Sequence, residues 1–101
     1  MNNKPDIIIE VRFKNTSEGG RIGRVRGKTY SCPLFIGDKG FDCRIELGVQ
    51  IIELGKIYEL PVYFLNRDLA MPYIRIGAAI SLWEGKEVAT GSIKVVGASF
   101  D

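Results

Sequence analysis

A chain of 101 residues, 46% apolar and 26% charged, has room for one domain and not for two. Surface scaling has folding bury roughly 65% of the unfolded chain's area, enough for one core without disulfides or metal. The composition is neither that of a disordered chain nor that of a membrane protein. Fourteen basic against twelve acidic residues leave a net charge of +2, which gives no overall bias toward nucleic acid or anionic membrane.

No apolar run approaches the length of a bilayer crossing. The opening Met1-Asn2-Asn3-Lys4-Pro5-Asp6 lacks the basic-then-apolar order of a signal peptide. The expected location is therefore cytoplasmic, and two cysteines fall short of the frameworks that small secreted domains use.

In chain order, residues 1–5 are expected to be a disordered tail. Residues 6–13 alternate, with Ile7, Ile9, Val11 and Phe13 facing a core and Ile8, Glu10 and Arg12 facing away. Asn15-Thr16-Ser17-Glu18-Gly19-Gly20 ends the run with turn formers. Residues 21–28 have neither period and read as an extended loop.

Residues 30–36 read as a strand, Gly37-Asp38-Lys39-Gly40 as a turn, and residues 41–47 as the returning strand of a hairpin. With Ile36 opposite Phe41, Leu34 faces Cys43 and Cys32 faces Ile45. The cysteines are then diagonal neighbours, about 7–8 Å apart between Cα atoms, which is long for a disulfide. They read as small buried hydrophobes, with redox sensing as the alternative.

Residues 48–54 are extended, and Leu54-Gly55-Lys56 turns the chain. In residues 57–65, Leu60, Val62 and Phe64 share a face, with Tyr63 on the other. Pro61 lacks a backbone donor and argues for an edge or a bulge. Residues 66–72 read as a loop. Residues 73–82 resume alternation, with Ile74, Ile76, Ala78, Ile80 and Leu82 on one face and Arg75, Gly77, Ala79 and Ser81 on the other. Glu84-Gly85-Lys86 is a tight turn, and residues 87–96 return.

Many short strands with glycine-rich turns indicate a sandwich or a barrel. The first and last strands are both apolar and need partners, which favours closure. The expected fold is all-β: a single small closed antiparallel barrel of about six strands over residues 1–101.

The chain has no histidine, which removes the commonest general base, the usual triads and most zinc sites. Two cysteines alone do not fill a metal site, and the carboxylates are scattered. The expectation is a protein with no catalytic residues, no metal and no cofactor. Glu18-Gly19-Gly20-Arg21-Ile22-Gly23 has no Lys-Ser/Thr ending and leads into a loop, so it is no phosphate-binding P-loop.

One charge cluster remains: Arg21, Arg24, Arg26 and Lys28, followed by Tyr30. Basic residues beside an aromatic suit phosphate neutralisation and stacking; the plainer reading is a solvated loop. Trp83 falls on the outward parity of its strand, where it either caps a barrel end or anchors an interface.

The order of motifs resembles the third, carboxy-terminal β-barrel domain of translation elongation factor Tu. Glu18-Gly19-Gly20-Arg21 matches its Glu-Gly-Gly-Arg loop, and residues 27–36 stand where that domain has its Gly-Tyr-Arg-Pro-Gln-Phe-Tyr strand. Ile45-Glu46-Leu47 matches a returning Ile-Glu-Leu, and Glu53-Leu54-Gly55 stands at a Met-Pro-Gly turn. Trp83-Glu84-Gly85-Lys86, with Gly91 following, resembles an Arg-Glu-Gly-Gly-Arg hairpin. The likeness runs from Ile7 to Val96 and implies a six-stranded Greek-key barrel that contacts neighbouring domains, the tRNA T-stem and an exchange factor. It departs where Ile22-Gly23-Arg24-Val25 replaces His-Thr-Pro-Phe, where the Tyr-Arg-Pro-Gln stretch is degenerate, and where Trp83 and Lys86 replace arginine and glycine. With no counterpart of the GTPase domain, GTP hydrolysis is not carried over. Only Glu18, Gly19, Gly20, Arg21, Glu84 and Gly85 are matched positions.

Three functions follow as expectations. The first is a stand-alone binding module for a protein or structured RNA, with a translation link. Its surface comprises Glu18, Gly19, Gly20, Arg21, Arg24, Arg26, Lys28 and Tyr30 with Trp83, Glu84, Gly85 and Lys86. The second is an immunity-type inhibitor that neutralises a toxin. The third is a translation accessory binding tRNA through Arg21, Arg24 and Arg26. A protein is the expected partner, RNA the alternative, and neither membrane nor nucleotide is expected.

Overall fold

Six strands close into an antiparallel barrel in a computed structural model that describes residues 4–48 and 50–97. The strands are β1 (Ile7–Phe13), β2 (Thr29–Ile36), β3 (Lys39–Glu46), β4 (Ile57–Phe64), β5 (Ala79–Trp83) and β6 (Glu87–Val96), in the cyclic order β1-β4-β3-β2-β5-β6. β2, β3 and β4 run consecutively and β5 returns beside β2, which is a Greek key. The expected tail falls largely on residues 1–3, outside the described residues.

The alternation of β1 is realised in full: Ile7, Ile9, Val11 and Phe13 are each buried, with partly exposed residues between them. Leu60, Val62 and Phe64 of β4 join them, and so do Ile80 and Leu82 of β5. At Gly91 of β6 the wall is drawn so close to β1 that a Cβ would lie 1.9 Å from the Glu10 carbonyl oxygen. No side chain fits there without moving a strand.

The β2–β3 hairpin corrects the expected register. Its loop is only Gly37-Asp38, with φ +60° at Gly37, while Lys39 and Gly40 belong to the strand. The pairing therefore moves by two residues: Ile36 faces Lys39, Leu34 faces Phe41, and Cys32 faces Cys43 directly. Directly opposed residues lie about 4.5–5.5 Å apart between Cα atoms, so the diagonal arrangement gives way to a facing pair. Both are buried free thiols, and Cys43 Sγ donates to the Cys32 carbonyl at 3.3 Å. The side-chain hydrogen bond with the Cys32 thiol, followed by burial, pushes the Cys43 thiol's pKa well up.

Pro61 is in a strand with two neighbours, opposite Ile8 of β1. On the β3 side, however, pairing ends at Ile45–Val62. Pro61 thus sits one residue beyond that ladder, at a local edge.

The stretch between β4 and β5 also differs from expectation. A helical turn, α1 (Arg67–Ala70), starts at Asn66, whose side-chain oxygen accepts from the Leu69 N–H at 3.3 Å. A 3-10 turn follows at Met71–Tyr73. Arg75 Nη1 then donates to the carbonyls of Pro72 (3.1 Å) and Ile74 (2.8 Å). The strand accordingly begins only at Ala79. Ile74 is buried, but Ile76, expected to face inward, is 67% exposed. Apolar residues at a spacing of two do not make a strand where a side-chain cap and a proline favour local turns. Asp6, the only buried charged residue described, stitches this end: it accepts from the Phe64 N–H and Arg67 Nε, both at 2.8 Å.

Gly91→Ala is expected to destabilise the barrel by about 1–3 kcal/mol through overpacking, read as a lowered urea midpoint. An unchanged midpoint would show that β1 and β6 separate there without cost.

Candidate functional site

The closed strand order gathers the β1–β2 and β3–β4 connections at one end of the barrel, opposite the β4–β5 connection. β1 finishes there at Phe13, and β2 begins there at Thr29. The β5–β6 turn lies at the same end, because Trp83 pairs with Glu87 and Phe13 pairs with Ala89. The two sequence segments singled out, residues 18–28 and 83–86, therefore meet in space.

What holds residues 21–28 is an isolated bridge between Val25 and Ile52, with reciprocal N–H to carbonyl bonds of 3.1 and 3.0 Å. Both side chains are buried and, with Leu47, plug this end. The segment was expected to be extended without periodicity, yet Val25 pins it. The alternation of extended backbone then directs Arg24 and Arg26 outward, and both are exposed.

The deciding contacts centre on Glu84. Its Oε2 accepts from Arg21 Nε at 2.9 Å and from the Tyr30 hydroxyl. Arg21 and Glu84 are 26% and 30% exposed at their side chains. The Arg21 guanidinium lies 5.9 Å from the Tyr30 ring centroid, and Tyr30 packs edge-on against Phe13 at 5.5 Å. β2 pairs with β5 only at Leu34–Leu82 and Phe35–Ser81, so residues 29–33 have no registered partner in β5. The carboxylate of Glu84 spans the seam where that ladder has run out. Nearer the ladder the Phe35 and Trp83 rings pack across it at 5.2 Å, and Trp83 Nε1 donates to Ser81 Oγ at 3.0 Å.

Several of the expected contact residues thus have internal work. Glu18 accepts from the Asn15 N–H at 2.8 Å and from Arg12 at 3.0 Å; these bonds, the backbone one first, lower its pKa. Gly19 and Gly20 form the turn behind it, with the Gly20 N–H bonded to the Asn15 carbonyl at 3.1 Å. Gly85 sits at the tip of the β5–β6 turn, closed by the Glu84 N–H donating to the Lys86 carbonyl at 2.8 Å. Arg24 pairs with Glu53 at 3.2 Å, an exposed pair of small worth. Among the described residues, Arg26, Lys28 and Lys86 form no ion pair.

Sequence reasoning passed over Ile22. It stands at the loop tip, 89% exposed, beside a cleft of about 460 Å³ lined by Arg21, Ile22, Gly23, Arg24, Glu84 and Lys86. The available signal was an isoleucine set between arginine and glycine in a polar loop. Among the described residues, no group of three or more potential metal ligands is found, and no helix is long and apolar enough to cross a membrane.

No protein-family model matches the chain, and no curated protein matches it.

Burial, followed by the hydrogen bond to Glu84, pushes the Tyr30 pKa far above its ordinary value of 10.0. A raised folded-state pKa gives stability that is full below the unfolded value and is lost as pH climbs above it. Ultraviolet difference titration should therefore show one tyrosine resisting ionisation until the barrel unfolds, and Tyr30→Phe should abolish that lag. Ionisation of all four tyrosines together in folded protein would contradict the assignment. A urea-denaturation cycle combining Tyr30→Phe with Glu84→Gln should give a coupling of about 1 kcal/mol; additive losses would mean that the carboxylate does not tie the seam.

Proposed function

We propose that this barrel is a non-catalytic binding module that contacts a protein partner through the end formed by residues 18–28 and the β5–β6 turn. One observation carries the reading: the Arg21–Glu84 ion pair joins two segments 63 residues apart into one surface, from which Ile22, Arg24 and Lys86 project. A fixed surface of mixed apolar and cationic character costs little ordering on association.

The likeness to the third domain of elongation factor Tu supports the same end. Its two matched motifs, Glu18-Gly19-Gly20-Arg21 and Glu84-Gly85, are the segments that the ion pair brings together. On that likeness we extend the proposal to a translation-linked role in the cytoplasm. A protein is favoured over RNA because Tyr30, the aromatic next to the basic cluster, is partly buried and already engaged by Arg21, Glu84 and Phe13, which competes with stacking of a base.

The test is affinity capture from cell lysate with the intact protein, an Arg24→Glu/Lys86→Glu variant and an Asp68→Lys control at the opposite end. Captured protein should be lost with the first variant and kept with the control. Nothing above background, or loss with the control alone, would overturn the proposal.

A further inference from the structure

The carboxylates around the loop end are mostly committed to intramolecular partners: Glu18 to Arg12, Glu53 to Arg24, Glu84 to Arg21 and Tyr30, and Glu87 to Lys14. Further round the rim, exposed Glu46 and Lys56 offset each other in charge. What is left over is cationic: Arg26, Lys28 and Lys86, with Arg24 held only by an exposed pair. Ile22, which lines a cleft with Arg24 and Lys86, has nine-tenths of its surface in water and is more exposed than Ile51 (44%) and Ile57 (65%) at the same end.

The loop around Ile22 is not slack. Arg21 folds back beneath it, and its Nη1 donates to the carbonyls of Gly23 (2.9 Å) and Arg24 (2.5 Å). Thr16 Oγ1 donates to the Arg21 carbonyl at 2.9 Å, and Val25 pins the far side. An apolar tip buckled from both sides is presented at low entropic cost, as an interface anchor is.

We infer that the partner carries an apolar socket rimmed by aspartate and glutamate, with Ile22 as the plug and Arg24, Arg26, Lys28 and Lys86 as the matching cationic ring. This deepens, and rests on, the reading of the loop end as a protein-contact surface. Complementary charge sets orientation and encounter rate, while the buried plug supplies the affinity that persists at physiological salt. An aliphatic tip has no π-face for a base, so the same ring of cations does not make an RNA platform.

The experiment titrates isotope-labelled protein, at about 150 mM salt, with three probes. These are a short aspartate/glutamate peptide carrying spaced leucines, the same peptide with alanine at those positions, and polyuridylate. Backbone amide shifts should be confined to residues 21–28 and 84–86, with the leucine peptide binding roughly tenfold tighter than the alanine one. Ile22→Ser should remove that advantage while leaving the fold intact, since the side chain is exposed; Lys28→Glu/Lys86→Glu should weaken both peptides. Equal affinity for the two peptides, shifts centred elsewhere, or tighter binding of polyuridylate would each overturn the inference. A lysate partner held at this end through a basic or uncharged surface would discard the acidic socket and keep the protein-contact reading. Loss of all capture would remove both.

Discussion

Closure of the sheet between β2 and β5 is the constraint on which the rest of the molecule depends. The ladders β4·β1, β1·β6 and β6·β5 are long, as is β2·β3. The two seams that join the β2–β3 hairpin to the remainder are short: three registered pairs to β4 and two to β5. The molecule is therefore a four-stranded sheet and a hairpin, shut along two brief contacts. Side chains complete the second of these, through the Phe35–Trp83 rings and the Glu84 carboxylate. Backbone groups that would otherwise template aggregation are kept inside a closed surface.

That division of labour explains which residues remain for binding. Arg21, Tyr30, Trp83 and Glu84 are drawn into holding the barrel shut, and their place at the rim is a consequence of that task. The loop that Arg21 fastens then shows solvent only what closure does not require, namely an isoleucine and several cations. Structure and recognition are thus coupled: anything that loosens Glu84 loosens the seam and the presentation of Ile22 together.

Much of the barrel was legible in the sequence because burial on one face imposes strict alternation. β1 and the Leu60, Val62 and Phe64 face of β4 are the clearest cases. Hairpin register was not legible, because Lys39 and Gly40 look like turn residues, yet Gly40 lies in β3 directly opposite Phe35. Residues 66–78 misled for a different reason: Ile74, Ile76 and Ala78 have strand spacing, but the Asn66 cap and the Arg75 bonds to nearby carbonyls select turns. At the site, the two loops were legible as segments of one expected surface. The ion pair between them was beyond reach, since which arginine neutralises which glutamate is decided by strand order and not by sequence distance. Val25 and Ile52 were likewise invisible as a pair, being single apolar residues in separate loops.

The facing thiols of Cys32 and Cys43 give the hairpin a built-in reporter. Both point into the interior from adjacent strands, so an alkylating reagent meets them only when that flap swings out or the whole chain unfolds. The ratio of their modification rate to that of an exposed thiol then measures the free energy of opening. A value below the global stability would identify the two short seams as the place where this barrel breathes.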